Sequence, residues 1–244
     1  MEKHLKNARW IAPDEPMTVT VFVRNFTLNK IPKSAMLDIT GLGYFEAYIN
    51  GYPITVDKLI PVPSDYFRRD FAAATYPVHD LFTHRIYFHT FDISVFLRKG
   101  NNELKIITGG GWFVQNERIA EGRMGYADRP RCIFELNLDD EIIASDGSEV
   151  YTDCEIRDTS LFIGETIDYT YTPKEPKRVK TLPAPESILT QTDAVPDRII
   201  RKIHPTLISE CKEKRIYDAG ENVSALVALR ANRGKYTLRY SEYL

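Results

Sequence analysis

Phe45-Glu46-Ala47-Tyr48-Ile49 alternates apolar and polar side chains, and Asn50-Gly51 follows it directly. Alternation with a period of two is the pattern of a pleated strand with one buried face. An asparagine–glycine pair is the strongest short hairpin signal, because a type I′ turn needs positive φ at both central residues. Residues 53–56 are therefore expected to return as a partner strand. The same pattern extends outward through Val19-Thr20-Val21-Phe22-Val23-Arg24 and Ala35-Met36-Leu37-Asp38-Ile39-Thr40. Further strands are expected at 85–91, 104–108, 132–138, 142–144 and 168–172. Asp92-Ile93-Ser94-Val95-Phe96-Leu97 reads as one or two helical turns, started by an aspartate cap and closed by Gly100. A second short helix is expected over 113–122. Many short strands separated by turn signals place the chain in the all-β class, as a sandwich.

From Pro173 the texture changes. Pro173, Pro176, Pro183, Pro185 and Pro196 stand among few large apolar residues, which reads as an extended connection. Strand-like runs resume at 199–203, 215–217, 224–230 and 236–240, and Asn232-Arg233-Gly234 is expected to turn the last two into a hairpin. The division read from this is a β-sandwich over 1–175, a proline-rich linker over 176–198, and the first part of a second β-domain over 199–244. A partial sandwich leaves strand edges unpaired, which offers a route to a homo-oligomer.

Composition excludes several function classes. The 244 residues are 43% hydrophobic and 27% charged, and 32 Lys+Arg against 34 Asp+Glu leave a net charge of −2. No basic surplus or stripe points to nucleic acid. The longest purely apolar run, Ala225-Leu226-Val227-Ala228-Leu229, is far short of the roughly 20 residues that span a bilayer. With no secretory signal after Met1, a soluble cytoplasmic protein is expected, and Cys132, Cys154 and Cys211 are expected as reduced, mostly buried thiols.

The search for chemistry is mostly negative. Gly41-Leu42-Gly43 lacks the third glycine of a dinucleotide fingerprint, since Glu46 stands there. None of His4, His79, His84, His89 and His204 shows metal-ligand spacing, so no metal or other cofactor is expected from the residues. Asp139-Asp140-Glu141 and Glu165/Asp168 pair carboxylates, but a polar turn accounts for the first group, and the second needs a cleft to act as a catalytic pair. Gly109-Gly110-Gly111-Trp112-Phe113 carries the best binding signal. The glycines allow a tight bend that brings Trp112 to a sheet end, where an indole either plugs the core or stacks on a sugar ring. Asp65, Tyr66 and Arg68, beside Arg69 in another loop, are the accompanying polar candidates for a sugar. Solvation of that loop explains them equally.

In this order the segments resemble the N-terminal domain of bacterial α-L-rhamnosidases. The resemblance is carried by Ile39-Thr40-Gly41-Leu42-Gly43-Tyr44, Tyr48-Ile49-Asn50-Gly51, Thr90-Phe91-Asp92-Ile93, Gly100-Asn101-Asn102-Glu103-Leu104 and Gly110-Gly111-Trp112. It continues through Ala144-Ser145-Asp146 and Phe162-Ile163-Gly164-Glu165-Thr166-Ile167-Asp168. Tyr217-Asp218-Ala219-Gly220-Glu221-Asn222 and Leu238-Arg239-Tyr240-Ser241-Glu242-Tyr243-Leu244 look like the opening of the family's next β-domain. Residues 70–85 stand out as an insertion, and Gly147-Ser148-Glu149 occupies the place of a family tryptophan.

The resemblance implies a jelly-roll, galactose-binding-like sandwich from a glycoside hydrolase that removes terminal α-L-rhamnose with inversion. It places the catalytic carboxylates in a downstream all-α barrel, so no catalytic residue carries over to this chain. A non-catalytic scaffold follows, with a rhamnose-containing glycan or glycoside as ligand. Calcium enters only because some such domains are linked to it. The alternatives are a freestanding carbohydrate-binding or protein-interaction module, or an enzyme complete in this chain that uses Glu165 and Asp168 or Asp65.

Overall fold

The computed structural model describes residues 4–64, 66, 85–115, 126–139, 141–162, 164–212, 214–230, 232, 236–239 and 241. The chain divides into two units, Met1–Arg198 and Ile199–Leu244. In the first, the strands are β1 (Trp10–Ala12), β2 (Val19–Leu28), β3 (Ala35–Leu42), β4 (Tyr44–Ile49) and β5 (Tyr52–Pro53). They continue as β6 (Arg85–Asp92), β7 (Gly100–Gly109), β8 (Arg131–Leu138), β9 (Glu141–Ala144) and β10 (Val150–Thr152). The unit closes with β11 (Ile156–Ser160), β12 (Gly164–Ile167), β13 (Lys177–Arg178), β14 (Lys180–Leu182) and β15 (Ile188–Gln191). One short 3-10 turn, Ser94–Phe96, stands where the aspartate-capped helix was expected, and the Asp92 carboxylate accepts from the Ser94 N–H at 2.9 Å.

Two sheets form an all-β sandwich. One runs β14-β1-β8-β3-β6-β15 with β9 beside β8, and the other runs β13-β10-β2-β7-β4-β5. Alternation decides what each strand buries. Leu37 and Ile39 of β3 join Phe22, Phe45, Leu104, Ile106, Phe134 and Leu136 in the main core, all buried. Each such side chain contributes about 1.5–3 kcal/mol relative to leaving it in water. Exposed ion pairs such as Lys177–Glu15 are screened by solvent and add little beside this.

The β4–β7 ladder, from Tyr44 opposite Gly109 to Ile49 opposite Leu104, is fixed at both ends. At one end Gly43 has φ +105°, and a Cβ there would lie 2.1 Å from the Gly109 carbonyl oxygen and 2.8 Å from that of Gly110. At the other, Asn50 and Gly51 both have positive φ, as the hairpin reading requires. The Asn50 side-chain amide donates to Asn102 Oδ1 and to the Phe96 carbonyl, both at 2.9 Å, and its Oδ1 accepts from the Glu103 N–H. Asn102 in turn donates to the Arg98 and Gly100 carbonyls at 2.7 and 2.9 Å. Asn102 is buried, and these bonds satisfy the amide that burial removes from water.

Several expectations need correction. The return strand is the two residues Tyr52–Pro53 rather than 53–56. Residues 168–172 form a turn, because Asp168 accepts from both the N–H and the hydroxyl of Thr170. The residues expected as a helix over 113–122 begin in a turn, with the Phe113 and Val114 N–H groups both donating to the Gly110 carbonyl. The rest of that segment lies outside the described residues, as does the 70–85 insertion apart from Arg85, which opens β6.

The proline-rich stretch 176–198 is extended, as its prolines dictate, but it is not a free tether. Within it β13 pairs with β10, β14 with β1, and β15 runs parallel to β6. A strand at a sheet edge needs ladder bonds on one side only, so proline interruptions are tolerated there. By lying along three edges the segment covers backbone that would otherwise template aggregation.

The second unit contains a hairpin of β16 (Thr206–Cys211) and β17 (Lys214–Asp218). Residues 199–203, 224–230 and the described part of 236–240 are not strands. The apolar run Ala225-Leu226-Val227-Ala228-Leu229, expected as part of a strand, is not buried, with Leu226 79% exposed. A two-faced strand needs neighbours to accept its backbone groups, and among the described residues the run has no ladder partner. Cys132 and Cys154 are buried, whereas Cys211 is exposed.

His89 sits on the core face of β6, stacked on Phe91 at 5.6 Å and edge-on to Phe45 at 6.3 Å, and its buried Nε2 has no hydrogen-bond partner among the described residues. Burial pushes its pKa down, and the Asp57 carboxylate opposes this only in part. The unfolded chain therefore binds this proton more readily than the native state, so stability falls as pH drops below about 6.5 toward the native value. Urea unfolding at pH 7.5 and 5.5 should show this loss in the native sequence, and His89→Gln should reduce it. At the ladder end, Gly43→Ala should cost about 3 kcal/mol in the same assay, since both φ and the Gly109 carbonyl oppose a Cβ.

Candidate functional site

The turn that ends β7 separates two neighbouring aromatics. Phe113 turns inward, fully buried, and packs edge-on to Tyr66 at 5.2 Å and parallel to Tyr126 at 6.1 Å. Phe113 thereby joins a second buried cluster, with Trp10, Leu42, Tyr66, Phe88 and Ile133, that is separate from the main core. Trp112 stays partly exposed and stands edge-on to Phe162 at 5.7 Å. Phe162 lies in the turn between β11 and β12 and is 51% exposed. Tyr44, the first residue of β4, is the third member of this group. Burial pushes its phenol up, the neighbouring Trp112 works the other way, and Asp197 adds to the rise.

Of the other expected sugar contacts, Asp65 and Arg68 lie outside the described residues. Tyr66 is corrected from a loop-surface contact to a core side chain. It is 2% exposed, sits between Phe113 and Tyr126, and its phenol is driven upward mainly by burial. A tyrosine so enclosed has no face free for a ligand. Phe162 and Tyr44 escaped the sequence reading as site residues. Their one signal was a nearby glycine, Gly164 two residues after Phe162 and Gly43 directly before Tyr44, both with positive φ, which marks a turn but not which aromatics converge there.

A polar row continues along β4. Glu46 and Tyr48 share the outer face with Tyr44, because strand side chains alternate. Glu46 accepts from the Tyr48 hydroxyl at 2.6 Å and from Lys58 Nζ at 2.7 Å. Burial works to raise the Glu46 carboxyl, but these two donors outweigh it and hold the group below its ordinary value. Tyr48 is pushed up to about 12 by burial first and then by the Glu46 carboxylate. Lys105 Nζ lies 4.8 Å from the centre of the Tyr48 ring, within cation–π range.

The carboxylates singled out in the sequence do other work. Asp139 accepts from the Lys33 and Ser34 N–H groups, which lower its pKa. Asp168 is lowered by Thr170, and Glu165 is exposed on β12. A general acid needs a raised pKa, and both resolved shifts run the opposite way. Among the described residues, no group of three or more His, Cys, Asp or Glu side chains is placed to hold a metal ion.

The family model of the α-L-rhamnosidase N-terminal domain matches residues 30–201. The α-L-rhamnosidase of Alteromonas sp. (strain LOR) is 25% identical over 241 residues, covering 90% of this chain and 24% of that protein. Among solved structures, native α-L-rhamnosidase from Aspergillus terreus aligns with a TM-score of 0.72 at 21% identity, over 89% of this chain and 26% of that one. The Streptomyces avermitilis α-L-rhamnosidase complexed with L-rhamnose aligns with a TM-score of 0.68 at 25% identity, over 85% of this chain and 20% of that one. The chain thus spans about a quarter of the length of these relatives.

The Glu46–Tyr48 pairing can be read directly by titration. Nuclear magnetic resonance of ring-labelled tyrosine should find Tyr48 still protonated at pH 11. Glu46→Gln should bring its pKa back toward 10, since the neutral amide no longer favours the protonated phenol.

Proposed function

The chain belongs to the α-L-rhamnosidase N-terminal domain family, and from that premise we propose that it is the non-catalytic front portion of an α-L-rhamnosidase-like glycoside hydrolase. In this role the sandwich is a scaffold that also presents an aromatic surface to carbohydrate. The observation that carries the binding half is the convergence of Trp112, Phe162 and Tyr44 at one end of the sandwich. A pyranose ring has an apolar face of C–H bonds, and a partly exposed indole beside two further aromatic rings is a suitable platform for it. The non-catalytic half is supported by the resolved shifts of Asp139 and Asp168, which keep those carboxylates ionised, and by the large part of each relative that lies beyond the match. L-rhamnose is the natural first ligand to test, because one similar structure is complexed with it.

Thermal unfolding of the purified chain in L-rhamnose should show stabilisation, reaching about 2.7 kcal/mol at a hundredfold excess over Kd. Trp112→Ala should abolish that shift while leaving the unliganded melting curve within a few degrees. The same preparation should not turn over p-nitrophenyl α-L-rhamnoside. Turnover would overturn the non-catalytic reading, and an unchanged melting temperature at saturating sugar would leave only the scaffold.

A further inference from the structure

We infer that the outer face of the β4–β7 pair is an extended strip for a neutral oligosaccharide, with the Trp112 group at one end. This rests on the carbohydrate reading above and deepens it, from a single sugar ring to a chain of linked ones. The register sets out the strip. Tyr44, Glu46 and Tyr48 share one face of β4 and stand opposite Gly109, Ile107 and Lys105 of β7. At about 3.3 Å per residue, Tyr44 to Tyr48 spans about 13 Å, longer than one pyranose ring. Trp112 and Phe162 extend the row beyond Tyr44.

The neighbouring part of the same sheet face is covered. Val19 and Val21 of β2 are buried there against Cys154, and Ile107 and Ile156 pack on that cluster. Over β4 the covering stops, since Glu46 is exposed and Tyr44 and Tyr48 are only partly buried. Opposite Tyr44 the absence of a side chain at Gly109 leaves a step, and the nearest atom to a Cβ placed there is Thr159 Cγ2 at 3.6 Å. β11 therefore borders the strip on its β7 side.

Its chemistry favours a polyhydroxylated ligand over a protein. Glu46, Lys58 and Lys105 stand among its rings, and charged residues of this kind are depleted at the centre of protein interfaces. Trp112, Phe162 and Tyr44 supply apolar ring surface for C–H bonds, whereas Lys105 lies over one face of the Tyr48 ring and leaves that ring its other face. Between them the Glu46 carboxylate offers acceptor oxygens and Lys58 offers ammonium donors to hydroxyl groups. Because Glu46 and Lys58 neutralise each other at 2.7 Å, neither demands a charged partner.

The test is a chain-length series. Calorimetric titration of the full chain with L-rhamnose and with α-linked rhamnose di- and trisaccharides should show affinity rising about tenfold from one unit to three, as one further stacked ring requires. Tyr48→Val, which keeps a strand-forming residue, and the isosteric Glu46→Gln should each flatten that rise, while Trp112→Ala should weaken every member of the series. Equal affinity for one and three units, with binding still dependent on Trp112, overturns the strip and spares the single-ring site. A rise that survives both β4 substitutions also overturns it. Failure of every sugar to bind removes the carbohydrate reading and the strip together.

Discussion

The structure depends on the alignment of β4 with β7. The β4–β7 ladder sets which β4 side chains enter the core and which face outward, and a slip of one residue would exchange Phe45, Ala47 and Ile49 for Tyr44, Glu46 and Tyr48. Two local devices fix that alignment. At one end the backbone at Gly43 approaches Gly109 and Gly110 too closely for any side chain. At the other, the Asn50 amide donates to Asn102 Oδ1, and its own Oδ1 accepts from the Glu103 N–H near the start of β7. These same residues carry the family resemblance, which gives its short motifs a physical meaning. Each motif is half of a contact, and the halves lie some fifty or more residues apart in sequence.

The same alignment builds the candidate site. Because Gly43 turns the chain into β4, Tyr44 begins the outward row, and because Gly110 closes the turn after β7, Trp112 is delivered beside it. Phe113, one residue on, is buried by the same turn and packs with Tyr66 in a second buried cluster. The fold therefore separates two adjacent aromatics into a stabilising one and an available one. Phe162 completes the group from a hairpin of different sheet membership, so its position follows from the packing of β11 over β2 and β7.

The proline-rich segment gives the second lesson. In isolation, Pro183 and Pro185 with few large apolar neighbours describe a connection, and extended chain is what the structure contains. What the sequence could not show is that the extended backbone has partners. Those partners are the edges of β10, β1 and β6, formed far earlier in the chain. Edge pairing uses backbone groups, which every residue carries, so side-chain patterns leave little trace of it. The opposite error arose at residues 225–229, where a strongly apolar side-chain pattern suggested a strand but no ladder partner is present among the described residues.

From its own pattern, the sequence determined the all-β class, the main strands β2, β3, β4, β6, β7 and β8, the Asn50-Gly51 turn, and Trp112 as a residue of interest. Those features are local, encoded in the period-two alternation and in residues that tolerate positive φ. Tertiary structure alone decided that Tyr66 is buried, that Phe113 rather than Trp112 is enclosed beside it, and that Tyr44 and Phe162 join Trp112. It also decided the direction in which Glu46, Tyr48 and His89 are shifted. Burial and convergence depend on which strands meet across long sequence separations, and that information exists only once the two sheets have closed on one another.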